Sequence, residues 1–287
     1  MSQHFERVKT VCMRQLYNSG QLRRRASDYG RNLHICICVA TLLFGAIGCR
    51  KTSSEAVPAP PAPPIAADPK AQAEEFYSQR ADLMKVRQGL IVLRQAATAN
   101  PSDYEIAWRL AKFNYFLGKH TTDETEKERA FSDGVDAGAI AVKLDNNKPE
   151  GHFWLGANYG GNAEISTLAS LTEIQDIKRE METVLKLDEG FESGSAYLAL
   201  GQMYLKAPKI FGGDTQKAIE YFEKGLKVGP NNGLLYLRLA QAYAEDHRTA
   251  DARQQLKILF DKGPTPGYEP EYNDAVKEGR ELEAKLK

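Results

Sequence analysis

Cysteine is scarce and confined to one end: Cys12, Cys36, Cys38 and Cys49 are the four in 287 residues. The chain after residue 49 therefore has no material for a disulfide framework or a cysteine-based metal site. Histidine is nearly as sparse. His120, His152 and His247 are the three beyond residue 49, far apart and without metal-ligand spacing. No Gly-rich loop opens a helix with Lys-Ser/Thr, and no nucleophile elbow is present. The acidic residues are scattered among Lys and Arg at helical spacing, the pattern of a solvated face. No catalytic residue, metal ligand or cofactor motif can be assembled, so the chain is not expected to be an enzyme. Long apolar runs are missing too. The run from Ile35 to Ile47 is shorter than the roughly 20 residues that a membrane-spanning helix needs.

A single sign of charge is also lacking, but the formal net charge of zero hides an asymmetry. Residues 1–49 hold seven of the 38 Lys and Arg and two of the 38 Asp and Glu. The remainder carries 31 against 36, a net charge of −5. A nucleic-acid binder needs a basic patch to neutralise phosphates, and none is present.

What is there begins with a leader. Arg23, Arg24, Arg25 and Arg31 precede the short apolar run, as in a secretory signal. The run ends Ala46-Ile47-Gly48-Cys49, which resembles the bacterial lipobox and makes Cys49 the expected lipidation site. An ordinary leader or a buried helix is the alternative, opposed by the polar, proline-rich stretch that follows at once. Two acyl chains on Cys49 suffice for stable anchoring, where one is marginal. Arg50 follows the cysteine, and resemblance to sorted lipoproteins implies the outer membrane, facing the periplasm. From Thr52 to Pro69 the chain is rich in Ala and Pro, a semi-rigid tether. The expected organisation is a signal peptide over 1–48, a lipidated tether over 49–70 and a folded domain over 71–287.

The folded part is predicted to be all-α. Apolar residues recur three and four apart, and Asn100-Pro101 ends the first such segment. A tetratricopeptide pattern then repeats. Its best copy runs Tyr197, Leu200-Gly201, Tyr204, Ala218, Phe222, Gly225 and Pro230. The next has Tyr236, Leu239-Ala240, Tyr243, Ala252, Leu256, Leu259 and Pro264. Earlier copies are His152, Leu155-Gly156, Tyr159, Ile177, Met181 and Val184, and before them Ala107, Leu110-Ala111, Asn114, Gly134, Gly138 and Ala141. The small residue lets a neighbouring helix approach, and such hairpins must stack to bury their apolar faces. About four hairpins with flanking helices are expected, in a tetratricopeptide-like solenoid. The charged segment "EYNDAVKEGRELEAKLK" is expected to cap it, facing solvent.

Three of the four copies are stretched between the two helices of the hairpin. Tyr243 to Ala252 has the ordinary spacing, whereas Tyr204 to Ala218, Tyr159 to Ile177 and Asn114 to Gly134 are longer. Insertions at equivalent places fall along one edge, where they build a binding surface or reflect tolerated loop drift. "NYGGNAEIS" is expected to break its helix at Gly160-Gly161. In "LKAPKIFGGD", Asp214 can cap the next helix, and Lys209, Ile210, Gly212, Gly213 and Asp214 form a candidate docking loop.

His152 occupies a packing position and is expected to be a satisfied, partly buried histidine. Trp154 lies on another face of that helix, and Trp108 has the same offset one repeat earlier. Trp108, Trp154, Asn158, Tyr159, Tyr204 and Phe211 are the candidate groove residues, suited to an apolar ligand or a partner helix.

The stretches "FWLGANYG", "LTEIQDIKREMETVLKLDEGF", "YLALGQMYLKAPKIFGGDTQKAIEYFEKGL" and "LLYLRLAQAY" together resemble the T-component of TRAP transporters, of the TatT type. The resemblance spans roughly Glu105 to Lys287. It implies a periplasmic lipoprotein that docks a solute-binding protein and helps pass an organic or hydrophobic ligand toward a membrane transporter. Glu189 departs from the pattern, standing where a repeat has proline, and the Ala/Pro tether is this chain's own. A similar core occurs in regulators of microtubule dynamics. Expected partners are a solute-binding or other envelope protein, the membrane through the lipid anchor, and a second copy of the chain. A protein-only scaffold for envelope assembly is the rival reading.

Overall fold

Asp68, Asp82, Asp103, Asp123 and Asp214 each precede a helix and accept backbone N–H groups of its first turn. A short acceptor at that place satisfies donors the helix leaves free. The computed structural model describes residues 66–166 and 172–286. The expected leader, Cys49 and most of the tether lie outside these residues. The helices are α1 (Pro69–Ser78), α2 (Leu83–Ala99), α3 (Tyr104–His120), α4 (Glu124–Leu144), α5 (Pro149–Ile165), α6 (Ile174–Leu187), α7 (Ser195–Lys206), α8 (Thr215–Val228), α9 (Gly233–Glu245), α10 (Thr249–Lys262) and α11 (Glu269–Lys285). Short 3-10 turns, Phe191–Ser193 and Lys209–Phe211, flank α7. Among the described residues there is no strand, and no helix is long and apolar enough to cross a membrane. Pro69, counted with the tether from sequence, opens α1, where its missing N–H is harmless.

Successive helices pair as α1/α2, α3/α4, α5/α6, α7/α8 and α9/α10, and each hairpin stacks on the next. The first helices also touch one another, α1 to α3, α3 to α5, α5 to α7, α7 to α9 and α9 to α11. They form the inner layer and the second helices the outer one. The small residues of the repeat do what their spacing implies. A Cβ on Gly201 of α7 would lie 2.3 Å from the ring of Phe222, which is wholly buried on α8. Similarly, Gly138 of α4 lets the backbone of Leu155 on α5 come within 2.8 Å of where a Cβ would stand. The interior is filled by Leu90, Phe113, Phe131, Met181, Leu200, Phe222, Leu235 and Leu256, all essentially inaccessible.

Three local expectations are corrected. The stretch between Asn114 and Gly134 is not an inserted loop: α3 and α4 are simply long, and 121–123 joins them. Good helix formers with an Asp123 cap carry the extra residues as helix. Nor does α5 break at Gly160-Gly161. It continues to Ile165, and the missing Cβ of Gly161 accommodates the ring of Phe131, 2.2 Å from where that atom would be. Finally, α11 does more than cap the stack toward solvent, because one of its faces closes the interior.

Candidate functional site

The solenoid curls far enough for its ends to meet. Arg80, just beyond α1 and only 5% exposed, donates from Nε and Nη2 to the two carboxylate oxygens of Glu271 on α11, at 2.9 and 2.6 Å. It also donates to the carbonyl of Gly267, and its guanidinium stacks on Tyr77, 4.8 Å from the ring centre. Nearby, His120 at the end of α3 lies 3.1 Å from Asp274 of α11. At the start of α11, the Tyr268 hydroxyl donates to Glu192, which precedes α7. Residues some 190 positions apart thus join across the concave side.

Behind this closure is a cavity of about 800 Å³. Its walls come from α3, α5, α6, α7, α9 and α11. The middle is apolar: Trp154, Ile177, Met181, Leu198, Met203 and Leu234. Tyr115 stands beside Trp154, with ring centres 5.8 Å apart. Charged groups sit at the ends. Lys119 and Lys206 donate to different oxygens of Glu164, each at 2.7 Å. Burial opposes a charge on Glu164, but the two lysines outweigh it and hold its pKa at about 2. On α9, Arg238 is neutralised by Glu278 of α11, 2.6 Å away. Among the described residues no group of His, Cys, Asp and Glu is gathered as a metal site.

The candidate groove residues separate. Trp154 lines the cavity, together with Gly160 and Gly161 in the unbroken helix. Trp108 lies two turns before Tyr115 on the same stripe of α3, under the guanidinium of Arg109 at 4.2 Å. Asn158 is wholly buried and does not line this cavity. Its amide donates to the carbonyls of Ala111 and Trp154, and it fills the space above Gly134. Tyr159 is half-buried against the central core, and Tyr204 stacks on Tyr221 at 5.4 Å. In the docking loop, Asp214 caps α8 through the N–H groups of Gln216 and Lys217. Ile210 is 85% exposed and Phe211 43%, with Gly212 at φ +95° where a side chain would be strained. Ala207 and Pro208, just before this loop, belong to the cavity wall.

His152 meets the expectation of a satisfied histidine. Its Nδ1 is 2.6 Å from Glu180 and its Nε2 3.0 Å from the carbonyl of Asn146. The hydrogen bond to Glu180 raises its pKa, against the effect of burial. Lys119, Glu164, Lys206, Arg238 and Glu278 were not legible as site residues. One signal existed: Glu164 stands in the last turn of α5, where the helix dipole disfavours a carboxylate.

The family model for regulators of microtubule dynamics proteins 1-3 matches residues 70–203, and a tetratricopeptide-repeat model matches residues 212–276. The first is one of the two families whose core the sequence resembles. No curated protein matches the chain. Among solved structures, a thermophilic tetratricopeptide protein of Thermus thermophilus is 16% identical, with a TM-score of 0.54 over 72% of this chain and 98% of that one. PilF of Pseudomonas aeruginosa is 17% identical, covering 76% and 90% at a TM-score of 0.47. A MamA protein is 17% identical, covering 77% and 96% at 0.43. At such identities the likeness speaks to the fold alone, and the first of them supports a stack of helical hairpins. The described part of the chain is a tetratricopeptide-type helical-hairpin solenoid.

Proposed function

We propose that the chain is a binding module that holds an organic molecule in the concave cavity of its solenoid and docks a protein at its edge. The observation that carries this reading is the cavity on the concave side, partly open to solvent. Solenoids of this kind offer an extended concave surface to a partner, but here α11 and the Arg80–Glu271 pair roof that surface. What remains has the size and the largely apolar lining of a small-molecule site. The role is that of a lipid-anchored accessory of a TRAP-type uptake system, facing the periplasm from the outer membrane and docking a solute-binding protein. Support for that finer role comes from the resemblance over residues 105–287 and from the lipobox-like stretch ending at Cys49.

The exposed pair Ile210 and Phe211 favours a second reading, a scaffold that binds proteins only. Native mass spectrometry of the chain purified gently from its own host separates the two. A co-purifying small organic molecule supports ligand handling, and its mass begins to identify it. An empty chain that retains an envelope protein supports the scaffold.

A further inference from the structure

A second groove lies apart from the inner cavity, between α2 and α4 of the outer layer, with α3 as its floor. Its volume is about 340 Å³, at the small end for organic ligands. The repeat explains why it exists. The later hairpins fill two large positions on their first helices, with His152 and Tyr159, Tyr197 and Tyr204, and Tyr236 and Tyr243. In the last copy both rings reach back across the stack. Tyr236 donates to the carbonyl of Pro230 in the preceding turn, and Tyr243 donates to Glu223 on the preceding outer helix. On α3 the same two positions are Ala107 and Asn114. Both line the groove, alongside Pro101 of the preceding turn and Arg94 of the preceding outer helix. The groove is the space of two missing rings.

Its lining is more than a packing gap. Asn114 is only 2% exposed, and its Oδ1 has no hydrogen-bond partner among the described residues. A buried amide oxygen left so is costly, and a donor placed in the groove removes that cost. Ile106, Leu110 and Ala137 supply an apolar wall, which the exposed Ile140 extends to the surface. Three carboxylates also reach the groove, and two of them are answered. Asp133 pairs with Arg94 and Arg129, and Asp103 with Lys70. Asp136, exposed on α4, has no ion-pair partner among the described residues. It stands four positions before Ile140, on the same face of that helix.

We propose that this groove is a second binding site, for a small aromatic amine. The ring takes the place of the missing repeat side chains, a hydroxyl on it donates to Asn114 Oδ1, and the ammonium pairs with Asp136 at the rim. The site is separate from the inner cavity and does not depend on that cavity holding a ligand. The orientation follows from burial, because Asn114 is inaccessible and Asp136 is exposed. A ring fits better than a flexible chain, since rings occupy the equivalent positions in the three later hairpins. A carboxylate at the rim is disfavoured by the unanswered charge of Asp136.

Calorimetric titration of the full chain with tyramine, phenethylamine and 4-hydroxyphenylacetate separates the contacts. Tyramine is expected to bind several-fold more tightly than phenethylamine, which lacks the donor for Asn114. It should exceed 4-hydroxyphenylacetate, whose charge is reversed, by about tenfold or more, the scale of a charge-assisted hydrogen bond. Asn114→Tyr restores the residue of the other repeats and is expected to abolish tyramine binding by filling the groove. Asp136→Asn, at an exposed position, should remove the preference for the amine over the acid, with circular dichroism verifying the helical fold of each variant. It carries the test alone if Asn114→Tyr does not fold. Tyramine binding at wild-type strength in a folded Asn114→Tyr, or a preference for the amine that survives in Asp136→Asn, overturns the site. Equal binding of amine and acid to the wild-type chain overturns the ligand class, and no binding of tyramine overturns the proposal as a whole.

Discussion

Arg80 and Glu271 lie 191 positions apart in the chain, yet form a two-pronged ion pair at 2.9 and 2.6 Å. The pair joins the first hairpin to the last helix and turns an open superhelix into a closed one. Arg80 is almost wholly buried, so its charge depends on that partner. Removing one member of such a pair is costly because the other is left uncompensated.

Glu271→Gln is therefore expected to destabilise the fold by about 2–3 kcal/mol. Amide exchange should rise first in α11 and at the end of α1, the elements the pair joins. Exchange in α11 at the wild-type rate would show that the closure is held by other contacts.

The paired His152 and Glu180 predict a stability window. The His152 pKa is raised, chiefly by its hydrogen bond to Glu180, so its contribution is full below about 6.5 and is lost as pH rises through the higher folded value. For Glu180, burial pushes the pKa up, but the bonds from His152 and Arg179 win and lower it. Its contribution is full above about 4.5 and is lost as pH falls through the lower folded value. Urea denaturation of wild type and His152→Gln should differ most between those limits, and least in alkali. A difference independent of pH would mean that the histidine contributes by packing alone.

Hairpin order, helix caps and the small packing residues were readable because they are local. Asp214 as a cap and Gly201 as a contact follow from a few residues on either side. The cavity was not readable, because it depends on how far five hairpins rotate in sum. Lys119, Glu164 and Lys206 come from three hairpins and look, one at a time, like ordinary surface charge. Tyr272 and Glu278 likewise belong to a helix whose composition describes a solvent-facing cap. Asn158 shows the same limit: its place on an inner helix was legible, but not that its amide donates to the carbonyls of Ala111 and Trp154.

Two glycines on inner helices should respond oppositely to the same change. Gly201→Ala places a methyl 2.3 Å from the Phe222 ring and should cost about 1–3 kcal/mol through overpacking. Gly160 meets nothing within 4 Å, and Gly160→Ala should stabilise by about 0.5–1 kcal/mol through helix propensity. Thermal denaturation decides this; a loss at Gly160 equal to that at Gly201 would contradict the open wall assigned to α5.

Ile210 and Phe211 separate docking from folding. Their side chains project from the turn between α7 and α8, outside every core cluster, so Ile210→Ser/Phe211→Ser should change stability by no more than about 0.5 kcal/mol. On the docking reading proposed above, this exposed pair meets the partner. The double variant should consequently lose most of its capture of an envelope partner in crosslinked host cells while retaining any molecule held in the cavity. Undiminished capture would move the docking surface away from this turn. Simultaneous loss of partner and ligand, with the fold intact, would mean that the turn governs the cavity mouth, which Ala207 and Pro208 join to it.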